Sequence, residues 1–403
     1  MRLIRSVTIL SMLFPAAAFG HGEASNPAAS AARSIDFPDT NEYLTIVVDP
    51  HTHSVFSDGH VWPRIRIGEA LRDGLDAIAI TEHLEYQPHL ADIPHRDRNR
   101  SYQQAVEAAG TSELVVIAGS EITRSAPVGH MNALFIQDAN KLVQFGEPTD
   151  ASDVSANYER ANQWPAQEAV VNANAQDAFV FWNHSWWSDR TPNARTELTD
   201  FHKNNIEKGL LHGIEIANGG TYSEESFQIA LDNDLTLIGV SDVHNLIDWD
   251  YTPHEGGHRP VTLVFAKEKT QAAIREALFD QRTVVWFKNL LVGREKVLTP
   301  LLEASLTLKS AAYAGTSEVV VVSLSNQSDA DLQLLNTTRH TFVGGADLIE
   351  VPAHDTFQFG VKRAEKSPNL TLKFDVQNAL SAPKQHPSIQ FSTQLAEQIR
   401  PAD

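Results

Sequence analysis

Histidines and acids recur along this chain at spacings that suit metal binding. His51-Thr52-His53 and Asp242-Val243-His244 each set two ligand-type side chains one residue apart, and Glu82-His83, Glu121 and His184 lie between them. Each short pattern alone is weak, because with 17 histidines in 403 residues a His-x-His triple arises by chance roughly 0.7 times. Neutral imidazole and carboxylate are ligands for Zn, Mn and Fe. The sequence has no cysteine, so every ligand must be His, Asp or Glu. A carboxylate such as Glu121 can bridge two ions, and such a bridge holds a water whose pKa falls toward neutrality, giving a hydroxide nucleophile. The chemistry expected is metal-dependent hydrolysis, with Glu121, Asp242 and His244 as the catalytic residues.

The elements that must position these side chains make the pattern specific. Leu44–Val48 runs into His51 and His53, Ala77–Ile80 into His83, Leu114–Ala118 into Glu121, Ala178–Trp182 into His184, and Leu235–Val240 into Asp242 and His244. Each apolar run thus ends, on its C-terminal side, in a ligand-type residue. In a parallel β/α barrel all those ends lie on one face, where such barrels keep their active sites. Helical patterns at 64–73, 166–175, 224–232 and 271–280 separate several of the runs, and strand–helix alternation predicts an α/β fold with a parallel sheet. After about Arg294 the texture changes to short β-type runs at 319–324, 332–335, 341–343, 356–361 and 370–376, separated by Asn, Ser, Asp, Gly and Pro. That predicts a C-terminal β-sandwich. The reading is a hydrolase barrel over 41–294 and a sandwich over 295–403. Every candidate ligand precedes Gly293, so the set is expected to survive loss of the C-terminal part.

Composition narrows the function classes. With 42% hydrophobic residues the chain can bury a large core without disulfides. Its formal net charge of -19 makes nucleic acid and anionic membranes poor partners, so a small-molecule substrate is expected. Residues 1–20 read as a secretory signal peptide: Arg2 and Arg5, the apolar run Val7–Phe14, then small residues from Ala16 to Gly20. Residues 21–40, rich in Ala, Ser, Asn and Pro, read as a tether. No later run is apolar enough to span a membrane, and the mature protein is expected to be periplasmic or secreted. The oligomeric state is not readable.

Taken in order, His51-x-His53 with Ser57-Asp58-Gly59, Thr81-Glu82-His83, Gly119-Ser120-Glu121-Ile122-Thr123, Gly129-His130, Asn183-His184 and Asp242-Val243-His244 resemble the PHP (polymerase and histidinol phosphatase) superfamily over residues 44–290. The resemblance implies a distorted (β/α)7 barrel with two or three divalent metal ions. It implies that His51, His53, Glu121 and Asp242 hold one ion, Glu121 with His130 and His184 a second, and Asp58, His83 and His244 a third. It also implies phosphoester hydrolysis. Gly119–Leu134 further resembles carbaryl-hydrolase-like metallohydrolases, which cleave carbamates.

The substrate side is less readable. A phosphatase should offer cations to the non-bridging oxygens, and Arg64, Arg66, Arg124 and Arg190 stand near the motifs. Trp62, Trp182, Trp186 and Trp187 suit either an apolar or sugar-like pocket or packing between barrel and helices. Arg124, Arg190 and Trp186 are the substrate-binding candidates. His89, His95, His202, His212, His340, His354 and His386 read as solvated surface groups; His254 and His258, in the Gly-rich segment Pro253–Pro260, are ambiguous between surface groups and a loop near the mouth. Three functions compete: phosphoesterase, carboxyl-ester, amide or carbamate hydrolase, and a non-catalytic metal-binding module.

Overall fold

Apolar runs that do not alternate need cover on both faces, and the chain provides it by curling one long sheet and packing helices outside. A computed structural model describes residues 33–144, 146, 148, 150–187, 194–363 and 366–395. The expected signal peptide, the first part of the tether and Arg190 lie outside the described residues. The elements run β1 (Leu44–Asp49), α1 (Pro63–Arg72), β2 (Ala77–Ile80), α2 (Arg100–Ala109), β3 (Val115–Thr123) and β4 (His130–Leu134). Next come α3 (Val154–Asn162), α4 (Ala166–Asn174), β5 (Phe179–Trp182), α5 (Asp200–Glu207), β6 (Gly213–Asn218), β7 (Thr221–Tyr222), α6 (Glu224–Asp232) and β8 (Thr236–Val240). This N-terminal part closes with α7 (Ile247–Asp250), β9 (Val261–Ala266), α8 (Gln271–Phe279), β10 (Thr283–Phe287), β11 (Leu290–Gly293) and α9 (Glu295–Ser305). The helices predicted at 64–73, 166–175, 224–232 and 271–280 are α1, α4, α6 and α8, each within a residue of its expected ends.

The sheet curls into a half-barrel. β1, β2 and β3 pair in parallel, as do β5, β6 and β8. β4 lies antiparallel between β3 and β5, so the expected strand–helix alternation is interrupted by a hairpin. β9, β10 and β11 continue antiparallel from the other edge of β1. At the rim where the ligands lie, the curled edges meet: Thr52 bridges Val243 in parallel, with Asp242 N–H donating to His51 O at 3.0 Å and His53 N–H to Val243 O at 3.2 Å.

The C-terminal part is a sandwich of two four-stranded sheets. One is formed by β12 (Leu306–Tyr313), β13 (Val319–Asn326), β17 (Thr356–Lys362) and β15 (Thr341–Phe342); the other by β16 (Leu348–Val351), β14 (Leu332–Asn336), β18 (Asn369–Val376) and β20 (Ser388–Gln394). β18 alternates exposed and buried residues, as a strand covered on one face must. The remaining strand, β19 (Ala379–Leu380), leaves the sandwich and pairs with β11, adding an edge to the barrel sheet. One hydrophobic cluster joins Leu298, Leu301 and Leu302 of α9 to barrel residues such as Leu263 and sandwich residues such as Val322 and Phe374. The end of the expected tether is also anchored. Arg33 and Ile35 N–H donate to Arg72 O and Asp73 O, both at 2.9 Å, and Ile35 and Phe37 are buried.

Candidate metal centre

Four strands of the half-barrel, β1, β2, β5 and β8, stop just before ligand-type residues, and β3 carries Glu121 near its end. β1 gives way at Pro50, which has no N–H for the ladder. Extended backbone then puts His51 and His53 on one side and Thr52 on the other. Thr52 is fixed by its hydroxyl donating to Ala79 O at 2.6 Å. His83 bridges Glu121 across the ends of β2 and β3, and His130 opens β4 opposite Thr123. His184 and Asp242 sit at positive φ, 21° and 51°, a conformation that costs a non-glycine residue about 1–3 kcal/mol and persists where surrounding contacts over-determine it. Asp58 is set by a tight loop. A Cβ on Gly59 would stand 2.7 Å from His53 C and Ser54 N, so only glycine fits there.

All nine expected ligands converge. His51 Nε2 and His53 Nε2 lie 2.9 Å apart, and each is 3.1 Å from Asp242 Oδ1. Glu121 stands between two groups. Its Oε2 is 2.6 Å from His83 Nδ1 and 3.4 Å from His53 Nε2. Its Oε1 is 2.7 Å from His130 Nδ1 and 3.4 Å from His184 Nε2. Asp58 Oδ1 is 3.1 Å from His244 Nε2 and 3.3 Å from His83 Nε2. Three sets of donor atoms cluster tightly enough to share an ion: His51, His53 and Glu121; His83, Glu121 and His130; and His53, Asp58, His83 and His244. The buried oxygens Asp242 Oδ1, Glu121 Oε2 and Asp58 Oδ1 have no well-directed hydrogen bond among the described residues; imidazole nitrogens surround them instead. Buried acceptors left this way are costly, and a shared cation would satisfy them. The donor set therefore fits divalent ions.

The electrostatics agree. Burial works against a charged Glu121, but His83 and His130 outweigh it and hold the carboxyl well below its ordinary value. Asp242 is likewise held low against burial by His51 and His53. His53 is pushed down to about 3 by burial and the neighbouring His244 and His83 rings, whereas nearby carboxylates outweigh burial and raise His51, His83 and His244.

Several supporting residues were invisible as ligands in the sequence. Glu215 of β6 takes His51 Nδ1 at 2.8 Å on one oxygen, and on the other accepts from His184 N–H at 2.6 Å and Asn218 Nδ2 at 2.9 Å. Its signal was an acid inside the apolar run Gly213–Ala217. Asn183 Nδ2 donates to Glu121 Oε1 at 3.0 Å, and Asn218 Nδ2 to Asp242 Oδ2 at 3.1 Å. Glu82 gathers Ser54 and Ser57, the latter at 2.5 Å, and so shapes the Asp58 loop. Behind Asp242, buried Arg259 clamps Asp49 and Asp73, and Asp49 accepts from Ser241 at 2.6 Å.

The substrate candidates are placed differently from the ligands. A cavity of about 270 Å³ opens over the centre, lined by Tyr86, Tyr158 and Trp187 among ligand side chains. Arg124 is not in its lining. It is buried with Nε 2.9 Å from Glu85 Oε1 and Nη1 donating to Ala161 O, so its charge is already met by a carboxylate. Arg66 is likewise buried and paired with Glu69. Trp186 is buried away from the cavity, and the next residue, Trp187, stacks on His184 with centroids 4.0 Å apart. His202 and His212 are not solvated: the first stacks on Trp182 at 3.7 Å and the second on Phe179 at 5.6 Å. His258 stacks on Trp286 in a neighbouring cleft.

An Ig-like domain family matches residues 306–392, which is the sandwich. No curated protein matches the chain. The crystal structure of a two-domain protein from Bacteroides vulgatus, containing a predicted PHP-like metal-dependent phosphoesterase, is 37% identical with a TM-score of 0.78; the match covers 89% of this chain and 98% of that one. A candidate metal-dependent phosphoesterase from Bifidobacterium adolescentis is 21% identical over 51% of this chain and 90% of its own, with a TM-score of 0.37. An amidohydrolase from Chromobacterium violaceum with bound sulfate and no metal is 16% identical over 49% of this chain and 87% of its own, with a TM-score of 0.35. The likeness of Gly119–Leu134 to carbaryl-hydrolase-like enzymes has no counterpart among these three. An ordered ligand set on a curled α/β sheet, and a relative alike over nearly its whole length, lead to one statement: this chain belongs to the PHP-like metal-dependent phosphoesterase family and is a hydrolase.

Proposed function

We propose that this enzyme hydrolyses the phosphoester of a small organophosphate. The observation that carries this reading is the convergence of nine His, Asp and Glu side chains beneath one open cavity. His51, His53, Glu121 and Asp242 would hold one ion, Glu121 with His130 and His184 a second, and Asp58, His83 and His244 a third; Zn, Mn and Fe all suit these donors. When bound, such ions supply Lewis acidity and make a water acidic enough to attack at neutral pH. The chain's own part is positioning. Asn183 and Asn218 fix the Glu121 and Asp242 carboxylates. His244 Nδ1 lies 2.8 Å from Asp242 O, which makes it the protonated nitrogen and leaves Nε2 to act as a ligand. At 29% side-chain exposure, His244 is the most open of the histidine ligands and meets substrate at the rim. Residues 1–20 we read as an export signal, which places the enzyme outside the cytoplasm.

One observation favours carboxyl-ester, amide or carbamate hydrolysis instead. The described residues lining the cavity include three aromatics and no Lys or Arg. A panel of chromogenic phosphomonoesters, phosphodiesters and carboxyl esters, run on the metal-loaded protein, separates the two. Turnover of a phosphoester, abolished by chelation, is expected. Turnover confined to carboxyl or carbamate esters would overturn the proposal.

A further inference from the structure

The centre does not open only to solvent. Trp187, Asp242 and His244 line the cavity above it and also line a second, larger cleft of about 940 Å³. That cleft runs from the metal ligands past Trp249, Asp250 and Tyr251 to the C-terminal sandwich, which contributes Asp329 and Asp331 to its far wall. The far wall is held firmly. Asp331 N–H donates to Asn289 Oδ1 at 2.9 Å, Asn378 Nδ2 donates to Asp331 O at 2.7 Å, and Asp331 Oδ1 accepts from Ala353 N at 2.8 Å. Trp249 is 71% exposed, the most open of the large hydrophobic side chains among the described residues. At this position in the cleft lining the indole offers an apolar face and an N–H to anything bound there.

The lining selects among ligand chemistries. A purely apolar group would desolvate Asp250 and Asp331 without a return. A second anionic group, such as a polyphosphate, would face Asp250, Asp329 and Asp331, with Lys288 the one Lys or Arg among the described lining residues. A small ammonium would leave most of the volume unfilled. The carboxylates also have donors already: Asp329 meets His354 Nε2 at 2.6 Å and Asp250 meets Asn245 Nδ2 at 3.2 Å. They are therefore oriented acceptors rather than bare counterions. A sugar ring matches this lining, because its C–H face lies on an indole while its hydroxyls donate to carboxylates and amides at the rim.

We propose that the cleft between the metal centre and the sandwich binds the glycosyl part of an extended substrate, with Trp249 as its platform and Asp331 as a hydroxyl acceptor. The inference rests on the phosphoesterase reading, and makes the substrate a phosphorylated glycan whose phosphoester reaches the centre. The C-terminal domain then contributes to specificity as well as to packing.

The test uses the metal-loaded full chain on an array of neutral and phosphorylated glycans, alongside turnover of p-nitrophenyl phosphate. Retention by phosphorylated glycans is expected, weakened at least tenfold in Trp249→Ala and in Asp331→Asn. For a glycan that is retained, the ratio of its kcat/KM to that of p-nitrophenyl phosphate should fall at least tenfold in both variants, chiefly through KM. Circular dichroism establishes that each variant is folded. Turnover of p-nitrophenyl phosphate with no glycan retention, or retention unchanged by both substitutions, refutes the cleft assignment and leaves the phosphoesterase reading intact. Retention of neutral glycans without turnover of any phosphoester overturns the substrate named here and the reaction with it. Preference for choline phosphate over every glycan would likewise refute the proposal.

Discussion

Glu215 touches no proposed ion, yet its replacement by glutamine should weaken metal binding sharply. One carboxylate oxygen faces His51 Nδ1 at 2.8 Å; the other accepts from His184 N–H at 2.6 Å and Asn218 Nδ2 at 2.9 Å. The carboxylate makes Nδ1 the protonated nitrogen of His51 and leaves Nε2 free to ligate. An amide cannot serve both sides, because it has one acceptor and one donor end. With its oxygen on His51, its NH2 opposes two donors. With the amide flipped, its NH2 faces Nδ1 and forces the proton onto Nε2, the nitrogen that must bind metal. Loss of such a partner lowers metal affinity 10–100-fold, which is about 1.4–2.7 kcal/mol. Competition against a chromophoric chelator measures this, with circular dichroism confirming that Glu215→Gln is folded. Affinity within twofold of wild type would refute the proposed orientation of His51.

The other predictions concern the cluster and what carries it. Glu121→Gln should cost more activity than Asp58→Asn, since Glu121 faces two donor groups; equal losses in steady-state kinetics would show the roles are misassigned. Gly59→Ala should strip the Asp58 loop of its geometry, lowering metal content and thermal stability together, because the new Cβ meets backbone at 2.7 Å; unchanged metal content contradicts this. Without metal, His51, His83 and His244 have pKa values raised above their ordinary range, because carboxylates outweigh burial. Their stabilisation is present below about pH 6.5 and is lost as pH rises through the raised values. The metal-loaded protein should behave oppositely and lose stability as acid protonates its ligands, so melting curves with and without chelator should slope in opposite senses between pH 6 and 9. A chain ending at Gly293 keeps every ligand but loses Leu298, Leu301 and Leu302, all fully buried. At about 1.5–3 kcal/mol each these losses rival the whole stability of a domain, so, contrary to the expectation that the ligand set survives loss of the C-terminal part, no cooperative melt is expected; a melt within a few degrees of the full chain refutes the shared core.

His51, His53, His83, Glu121, His184, Asp242 and His244 were legible because they follow apolar runs, and strand ends in such a sheet share one rim; Asp58 and His130 were legible only through the motif order that carries the family resemblance. Helices α1, α4, α6 and α8 were legible from their amphipathic patterns; in the structure Pro63 heads α1 and the Thr270 hydroxyl accepts from Ala273 N at 3.2 Å at the start of α8. What escaped was set by tertiary contact. β4 belongs to none of the apolar runs read from the sequence, yet it pairs on both edges and carries His130. β19 is two residues long and exists because β11 offers an open edge. Neighbours in sequence are not interchangeable in space: Trp186 turns into the core while Trp187 covers His184, and only the backbone turn after β5 decides which. Arg124 looked available for substrate because its partner, Glu85, stands 39 positions earlier in the chain, across the β3 edge. His202 and His212 looked solvated because their stacking partners Trp182 and Phe179 come from another element.

The central claim is that this centre holds a cluster of divalent ions. Elemental analysis of the full-length protein, purified without chelator and measured beside Glu121→Gln, tests it most directly. Two or three equivalents of first-row metal per chain are predicted for the wild type, with at least one equivalent lost in the variant. Less than one equivalent in the wild type after reconstitution with Zn, Mn or Fe would contradict the account.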